Sequence, residues 1–266
     1  MNAPPRAAPE PLVNSGRAFR WLAARECLRV SRLWTQTMLA PVVSSALFIV
    51  VFGLSLGSRI REVSGFPYEE FIVGGLIAMA MAQAAYSNNS SSIFQARSDR
   101  YINDVLAAPM HPWQMHLGYV AGGAFRAMVI GLVLAAVAIP LTGVPVQSPA
   151  VLVLSGVLLC LLFGALGVVV GIYAETFDHH TFINNIVILP LTFVGGVFYS
   201  VELLASPWEQ LSHANPIFYM VNAVRYGFLG SSDVEIAICL GVTAAFALGA
   251  LAWSQWLFST GRRLKP

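Results

Sequence analysis

The chain has 266 residues, a formal net charge of +2, 57% hydrophobic residues and only 11% charged residues. Soluble domains carry about a quarter charged residues, so this composition excludes an ordinary water-soluble enzyme and indicates that lipid is the main solvent. A membrane-spanning helix needs roughly 20 mostly apolar residues. Six such helices nearly fill the chain, so we expect no separate soluble domain. The only lysine, Lys265, is followed by Pro266 rather than Ser or Thr, which excludes a P-loop for ATP.

The N-terminal region is predicted to be a disordered tail (residues 1–16) followed by an amphipathic helix (residues 17–36). At about 100° per residue, apolar side chains fall on one side of this helix and arginines on the other. The basic side includes Arg25, Arg29 and Arg32, whereas Glu26 falls on the apolar side. This pattern is typical of an interfacial helix whose arginines face lipid head groups. The alternative is a polar extension of the first span.

The remaining sequence predicts an all-α polytopic membrane protein. Its six transmembrane helices are expected at about 37–57, 69–94, 118–141, 149–173, 181–201 and 233–258, followed by a cytoplasmic tail at 259–266. With the N-terminus inside, 12 of the 15 Lys and Arg residues fall in inner segments. The positive-inside rule therefore predicts that both termini are cytoplasmic.

An unusual polar run, Ser87-Asn88-Asn89 and the serines after it, stands near the end of the second span. Such side chains are unfavourable against lipid and should face protein, a cavity or the interface. One interpretation is that they line a translocation path; the other is that the helix leaves the membrane there. Asn184 and Pro190 of the fifth span are further candidate pathway residues.

The polar connection between spans two and three predicts a short amphipathic helix that ends before Pro109. A polar helix with an apolar stripe outside the bilayer needs a packing partner, and a cytoplasmic partner chain is the economical candidate. The alternative is packing on the protein's own helices. The residues concerned are Asp99, Arg100, Tyr101, Ile102, Asp104, Val105 and Leu106.

The segment between spans five and six predicts a re-entrant hairpin on the outer side. Pro190 interrupts the hydrogen bonding of span five, and non-helical backbone at membrane depth needs protein or a water-filled cavity around it. Arg225 is either an interface anchor or the gate-side partner of a carboxylate such as Glu202 or Glu209. The candidate gate residues on this side are Phe198, Tyr199, Tyr219 and Arg225.

No catalytic or metal-binding constellation stands out. The five histidines show no His-x-x-x-His spacing, and the three cysteines match no metal-ligand pattern. Gly118-x-x-x-Gly122 and Gly167-x-x-x-Gly171 instead predict close helix packing.

Several of these features together resemble the permease subunits of ABC-2 transporters, in particular bacterial nodulation-factor, polysaccharide and drug exporters. The resemblance covers most of the chain: the basic helix before span one, the Leu-Ala-Ala-Pro109 ending of the connecting helix, and the exit of span four. Its most specific stretch runs from Pro190 through Phe198-Tyr-Ser and Asn215-Pro216-Ile-Phe-Tyr219 to Arg225-Tyr-Gly.

The resemblance implies a half-transporter without enzymatic activity of its own. Two permeases, either two copies of this chain or this chain with a related one, would form the substrate path in the bacterial inner membrane. Two cytoplasmic ATPase subunits would bind ATP-Mg, so this chain would bind no cofactor. The helix at Asp99 to Leu106 would be the coupling helix, and the interfacial helix would also contact the ATPase. Membrane lipid is an expected partner; nucleic acid is not.

Two rival functions follow from the same residues. An ion-coupled secondary transporter would place ionisable residues at mid-membrane, but those of this chain are expected near the span ends, Arg126 among them. An intramembrane enzyme is disfavoured because the spans contain no nucleophile–base or metal set.

Overall fold

The computed structural model describes residues 15–57, 60, 62–261 and 263–264. All but the last two residues of the predicted tail at 1–16 lie outside the described residues, as does part of the tail at 259–266. Helix α1 (Ser15–Arg32) leads through a short π-helix (Thr35–Leu39) into α2 (Ala40–Gly57). The hydroxyl of Thr37 donates to the carbonyls of Val30 and Leu33 and holds this junction.

A small hairpin follows α2, where the sequence predicts only a loop. Strand β1 (Glu62–Val63) pairs antiparallel with β2 (Phe66–Pro67). The two turn residues, Ser64 and Gly65, have φ of 52° and 82°. Two consecutive positive φ angles give the turn type whose twist matches an antiparallel pair.

Helix α3 (Tyr68–Ser98) is the centre of the bundle and packs against α2, α5 (Pro112–Thr142) and α6 (Pro149–Tyr173). The six-residue helix α4 (Ile102–Ala107) lies between α3 and α5. Because α3 is enclosed by its neighbours, its polar run near residue 88 is surrounded by protein rather than lipid.

Close packing around α3 depends on residues without side chains. A Cβ at Gly167 would collide with the carbonyl oxygen of Tyr86, and one at Gly171 would lie 2.7 Å from that of Ser90. The small-residue spacing therefore brings α6 against the α3 backbone, as the sequence predicts.

The predicted fifth span is a broken helix. Helix α7 (Phe177–Ile183) continues through a π-helix (Asn184–Ile188) into α8 (Leu189–Val194). Pro190 has no N–H to donate to the preceding turn. Helix α8 ends at Val194, and the chain turns away at Gly196, whose φ of 79° is accessible to glycine at little cost.

Short helices connect this broken helix to the last one. They are a 3-10 turn (Val201–Leu203), α9 (Trp208–His213) and the largely buried α10 (Pro216–Leu229), whose cap Asn215 accepts from the Ile217 N–H. Helix α11 (Ile236–Thr260) completes the fold. It begins three residues after the predicted start at 233, because Asp233 is engaged elsewhere.

The described helices confirm an all-α polytopic membrane protein. Five segments are long and apolar enough to cross a bilayer: Thr35–Gly53, Tyr68–Ser98, Pro112–Thr142, Pro149–Tyr173 and Ile236–Thr260. The broken helix is not one of them, so the predicted fifth span at 181–201, and with it the total of six spans and the re-entrant hairpin, stay predictions.

Candidate functional site

A polar cavity of about 480 Å³ lies where α2, α3, α5 and the broken helix meet. Ser87 and Asn184, two of the predicted pathway residues, line it, and their role in transport stays a prediction. Pro190 lies in the adjacent helix α8 but is not part of the lining. The polar side chains of the lining are Gln36, Ser44, Ser45, Gln83, Ser87, Arg126 and Asn184.

The cavity has a polar end and an apolar end. The Arg126 guanidinium donates from Nε to the Thr37 carbonyl at 2.9 Å, which places it beside the start of α2. Phe48 of α2, which follows Thr37 by 11 residues in the sequence, lines the cavity together with Phe193 of α8. Helix α2 runs antiparallel to α3, because its residue Gly53 approaches Glu69 at the start of α3. Gln36 and Ser87 therefore lie toward the end that contains Arg126, and Phe48 lies toward the other end.

Asn88 and Asn89, predicted as pathway residues, lie in a buried network instead of the cavity. Asn88 accepts from Arg29 Nη2 at 3.1 Å and donates from Nδ2 to Asn89 Oδ1 at 3.1 Å. Asn89 in turn donates to the carbonyl of Gly164 at 3.0 Å. Within this single chain the two amides join α1, α3 and α6.

Glu26 fastens α1 to the bundle, which explains why a carboxylate stands on the apolar side of that helix. Its Oε2 accepts from Ser92 Oγ at 2.7 Å and from Arg29 at 3.2 Å, and its side chain is fully buried. Gly118 and Gly122 of α5 make room for α1, since a Cβ at either would lie 2.7 Å from Leu22 or Glu26. Helix α1 is thus seated in a groove between α3 and α5.

Helix α4, the predicted coupling helix, packs its apolar stripe on the protein itself. Ile102 and Val105 are buried in a cluster with Leu22 and Tyr119, and Leu106 packs against that cluster. The reason given for a partner, an uncovered apolar stripe, is therefore wrong, and the alternative of packing on its own helices is the observed one. The polar face remains exposed; its residues are Asp99, Arg100, Asn103 and Asp104.

Tyr101 links α4 to α1. The Arg25 guanidinium lies over the Tyr101 ring, 4.5 Å from its centroid, and the Tyr101 hydroxyl donates to the Ser92 carbonyl at 3.5 Å. Burial raises the pKa of the Tyr101 phenol, so it stays neutral. Arg32 is exposed and lines a surface depression of α1 with the 71% exposed Trp21. The Arg25–Tyr101 contact therefore joins α1 to the start of α4.

Three predicted gate residues lie around the end of α8. Phe198 packs between the rings of Phe52 and Phe193, with centroids at 5.2 and 5.5 Å. The Tyr199 hydroxyl donates to the carbonyl of Val194 at 3.4 Å. The Tyr219 hydroxyl donates to the carbonyl of His213 at 2.9 Å. Phe198 therefore packs behind Phe193, which lines the cavity, whereas Tyr199 and Tyr219 are not part of the lining.

Arg225 is buried and paired with Asp233 at 3.9 Å, not with Glu202 or Glu209 as the sequence suggested. It also donates to the carbonyl of Gly196 at 2.6 Å and lies 3.9 Å from the centroid of the Phe71 ring. A fully buried arginine with these contacts is not an interface anchor.

Asp233 completes this cluster on the side of the preceding loop. Its carboxylate accepts from Ser200 Oγ at 2.9 Å and from the Val201 N–H at 3.3 Å. The Asp233 side chain is therefore unavailable to cap α11, which accounts for the later start of that helix.

Arg126 was expected near a span end and is not among the candidate site residues predicted from the sequence, yet it lines the cavity. It lies near the middle of the 31-residue helix α5. The signal was present, because Arg126 interrupts an otherwise apolar run, as Gln83 does in α3. No group of three or more His, Cys, Asp or Glu residues in the described part of the chain is placed to hold a metal ion.

Comparison with known proteins gives the family. Residues 17–229 match the model of the ABC-2 type transporter family. The chain is 40% identical over 250 residues to the inner membrane transport permease YadH of Escherichia coli K12, covering 93% of this chain and 97% of that protein. It is 23% identical over 255 residues to nodulation protein J of Rhizobium meliloti, covering 93% and 95%. The chain therefore belongs to the ABC-2 type transporter family and is a membrane permease.

Proposed function

We propose that this chain is the permease subunit of an ATP-binding cassette exporter of the bacterial inner membrane, working as a dimer and driven by a separate ATPase. The observation that carries the proposal is the family match over 17–229 in a sequence without a P-loop lysine. The printed description of the Escherichia coli relative, an inner membrane transport permease, supports the location.

The proposed topology has six spans. The span added to the five long helices is the helical stretch at 177–194, which is fifth in chain order and continuous through its π-helix. At 1.5 Å per residue it is about 27 Å long, close to the roughly 30 Å of a bilayer core. Helix α10, with 14 residues, is about 21 Å long and too short to cross. Together with α9 it would form the re-entrant hairpin.

Both termini are proposed to be cytoplasmic. Arg126 and Arg225 lie within α5 and α10, so they are left out of the charge comparison. Of the other 13 Lys and Arg residues, 11 fall in segments that this orientation places inside, and Arg59 and Arg61 fall outside. The positive-inside rule supports this orientation.

A second permease would complete the translocation path. An exposed apolar stripe at four-residue spacing begins at the end of the π-helix and continues along α2; its residues are Leu39, Val43, Leu47 and Val51. The cavity is lined in part by α2 and in part by the broken helix, and we propose that its open side lies beside this stripe. A partner packed on the stripe, a second copy of this chain or a related permease, would close the open side of the cavity and produce a shared path.

The ATPase is proposed to bind the exposed face of α4. ATP binding would close the ATPase pair and shift α4. The shift would pass to α1 through Arg25 and Tyr101, and to α3 through the bond from Tyr101 to the Ser92 carbonyl. ATP changes the permease only if the ATPase contacts differ between the closed and open states.

The test is co-expression of the permease with a candidate ABC ATPase from the same genome. We expect the two to purify together, with ATP hydrolysis present in the complex and absent from the permease alone. In proteoliposomes, export should need ATP. Transport that follows a proton or sodium gradient without ATP would instead support a secondary transporter.

A further inference from the structure

We propose that Arg126 makes the cavity a binding site for an amphiphile with an anionic phosphate or carboxylate head group. The inference rests on the proposed function, because it names the class of molecule that the exporter's cavity accepts. Phosphate and carboxylate are the groups that a guanidinium binds best, through paired charge-assisted hydrogen bonds.

Arg126 differs from Arg225 and Arg97 because few protein groups contact its guanidinium. Arg225 has a carboxylate and an aromatic face. Arg97 donates to the carbonyls of Gly171 and Ala174 at 3.1 and 3.0 Å. Among the described residues, Arg126 has one hydrogen bond, from Nε to a carbonyl, and no ion pair. Its two terminal nitrogens therefore remain free to donate to a molecule in the cavity.

The electrostatic surroundings of Arg126 also favour an anion. The charged group that acts on it, Arg29 of α1, is a cation that is already paired with Glu26, so it supplies no counter-ion to Arg126. The carboxylate of Glu26 is engaged by Ser92 and Arg29 and forms no ion pair with Arg126. No Asp or Glu belongs to the cavity lining. An arginine at membrane depth is costly unless it is paired or hydrated, and an anionic head group would remove that cost.

The division of the cavity into two ends indicates an amphiphile rather than a small ion. Ser87 and Asn184 lie with Arg126 at the polar end, where their side chains can hydrogen-bond a head group. Phe48, Leu189 and Phe193 line the apolar part of the cavity, where Phe198 packs behind Phe193, and can contact an acyl or alkyl chain. The cavity volume of about 480 Å³ falls in the usual range for organic ligands.

The experiment measures binding to the purified permease alone in a neutral detergent. The probes are dodecyl phosphate, uncharged dodecanol and inorganic phosphate, with affinities from isothermal titration. We expect dodecyl phosphate to bind at least ten times more tightly than either other probe. Arg126→Gln should remove this preference and Arg126→Lys should keep part of it. Arg20→Gln, an exposed charge change on α1 outside the cavity, should leave it unchanged.

Equal affinities for dodecyl phosphate and dodecanol would overturn the proposal, as would a preference that survives Arg126→Gln. If Arg126→Gln does not fold, Ser87→Phe keeps the arginine and fills the polar end. It should weaken dodecyl phosphate binding at least tenfold, and unchanged binding would overturn the site.

A further arm distinguishes the two sources of the anion. If phosphatidic acid in nanodiscs of otherwise neutral lipid competes with dodecyl phosphate, a bilayer lipid can occupy the site. If it does not, a single-chain cargo is the occupant, and both results support an anion site. Because no ATPase is present, this binding result does not depend on whether the permease purifies with one.

Discussion

Ser92 of α3 donates a 2.7 Å hydrogen bond to the fully buried carboxylate of Glu26 in α1. This bond joins the amphipathic N-terminal helix to the central helix of the bundle. A basic helix of this kind could simply lie on the membrane surface. Here it is instead an integral part of the helical core on that side of the molecule.

The first prediction concerns this bond. Ser92→Ala should destabilise the protein by about 2 kcal/mol, because a buried carboxylate loses a partner and the vacated site is too apolar to solvate it. The midpoint of thermal unfolding of the purified permease measures the effect. Ser91→Ala is the matched control, since Ser91 donates only to carbonyls of its own helix, Ser87 and Asn88. Equal midpoints for the two variants would contradict the role of the bond.

The second prediction concerns the groove that receives α1. Gly122→Ala would place a Cβ 2.7 Å from that of Glu26, and a contact so close to the backbone cannot be relieved by rotating a flexible chain end. We expect a loss of about 1–3 kcal/mol, as is typical of overpacking, seen as a lower thermal midpoint.

Gly241→Ala supplies the control, because a Cβ there meets nothing within 4 Å. Alanine is the better helix former by about 1 kcal/mol, so Gly241→Ala should leave the midpoint unchanged or raise it. If both alanines behave alike, the seating of α1 on α5 does not depend on Gly122.

The sequence predicts most of the helices well, because a long apolar run in a membrane has little choice but to be helical. It also shows Glu26 on the apolar side of α1 and Arg126 inside an apolar run. Periodicity identifies the face that is covered, but it does not identify the neighbour that covers it. This is why the apolar stripe of α4, with Ile102 and Val105, suggested a partner chain and turned out to pack on α1 and α5.

The carboxylate that pairs with Arg225 could not be predicted from the sequence, for a different reason. Several carboxylates lie within reach along the chain, and the choice among them depends on backbone direction. The left-handed turn at Gly196 brings the loop back over α10. That turn aligns Arg225 with Asp233 and leaves Glu202 exposed.

The third prediction tests that buried pair. Asp233→Asn should destabilise the protein by about 3 kcal/mol, because Arg225 would remain buried without a carboxylate. The loop that contains Ser200 and Val201 should also loosen, since both donate to Asp233. Limited proteolysis between α8 and α10 measures the loosening. Glu235→Gln, an exposed neighbour, should leave the cleavage rate unchanged, and similar rates for both variants would exclude the pair as the holding contact.

The last prediction separates the two faces of α4. Ile102→Glu places a charge at a fully buried position. It should lower the free energy of unfolding of the permease itself by several kcal/mol, which is measured as a lower thermal midpoint. Asp104→Arg changes an exposed position and should change the free energy of unfolding by no more than about 0.5 kcal/mol.

If α4 is the surface that the ATPase binds, Asp104→Arg should nevertheless reduce co-purification of the ATPase at least tenfold, because a charge reversal at a contact introduces repulsion. Glu202→Arg makes the same reversal on an exposed residue in the loop after α8, and it should retain the ATPase. A folded Asp104→Arg permease that binds the ATPase as well as the Glu202→Arg control would place the docking surface away from α4.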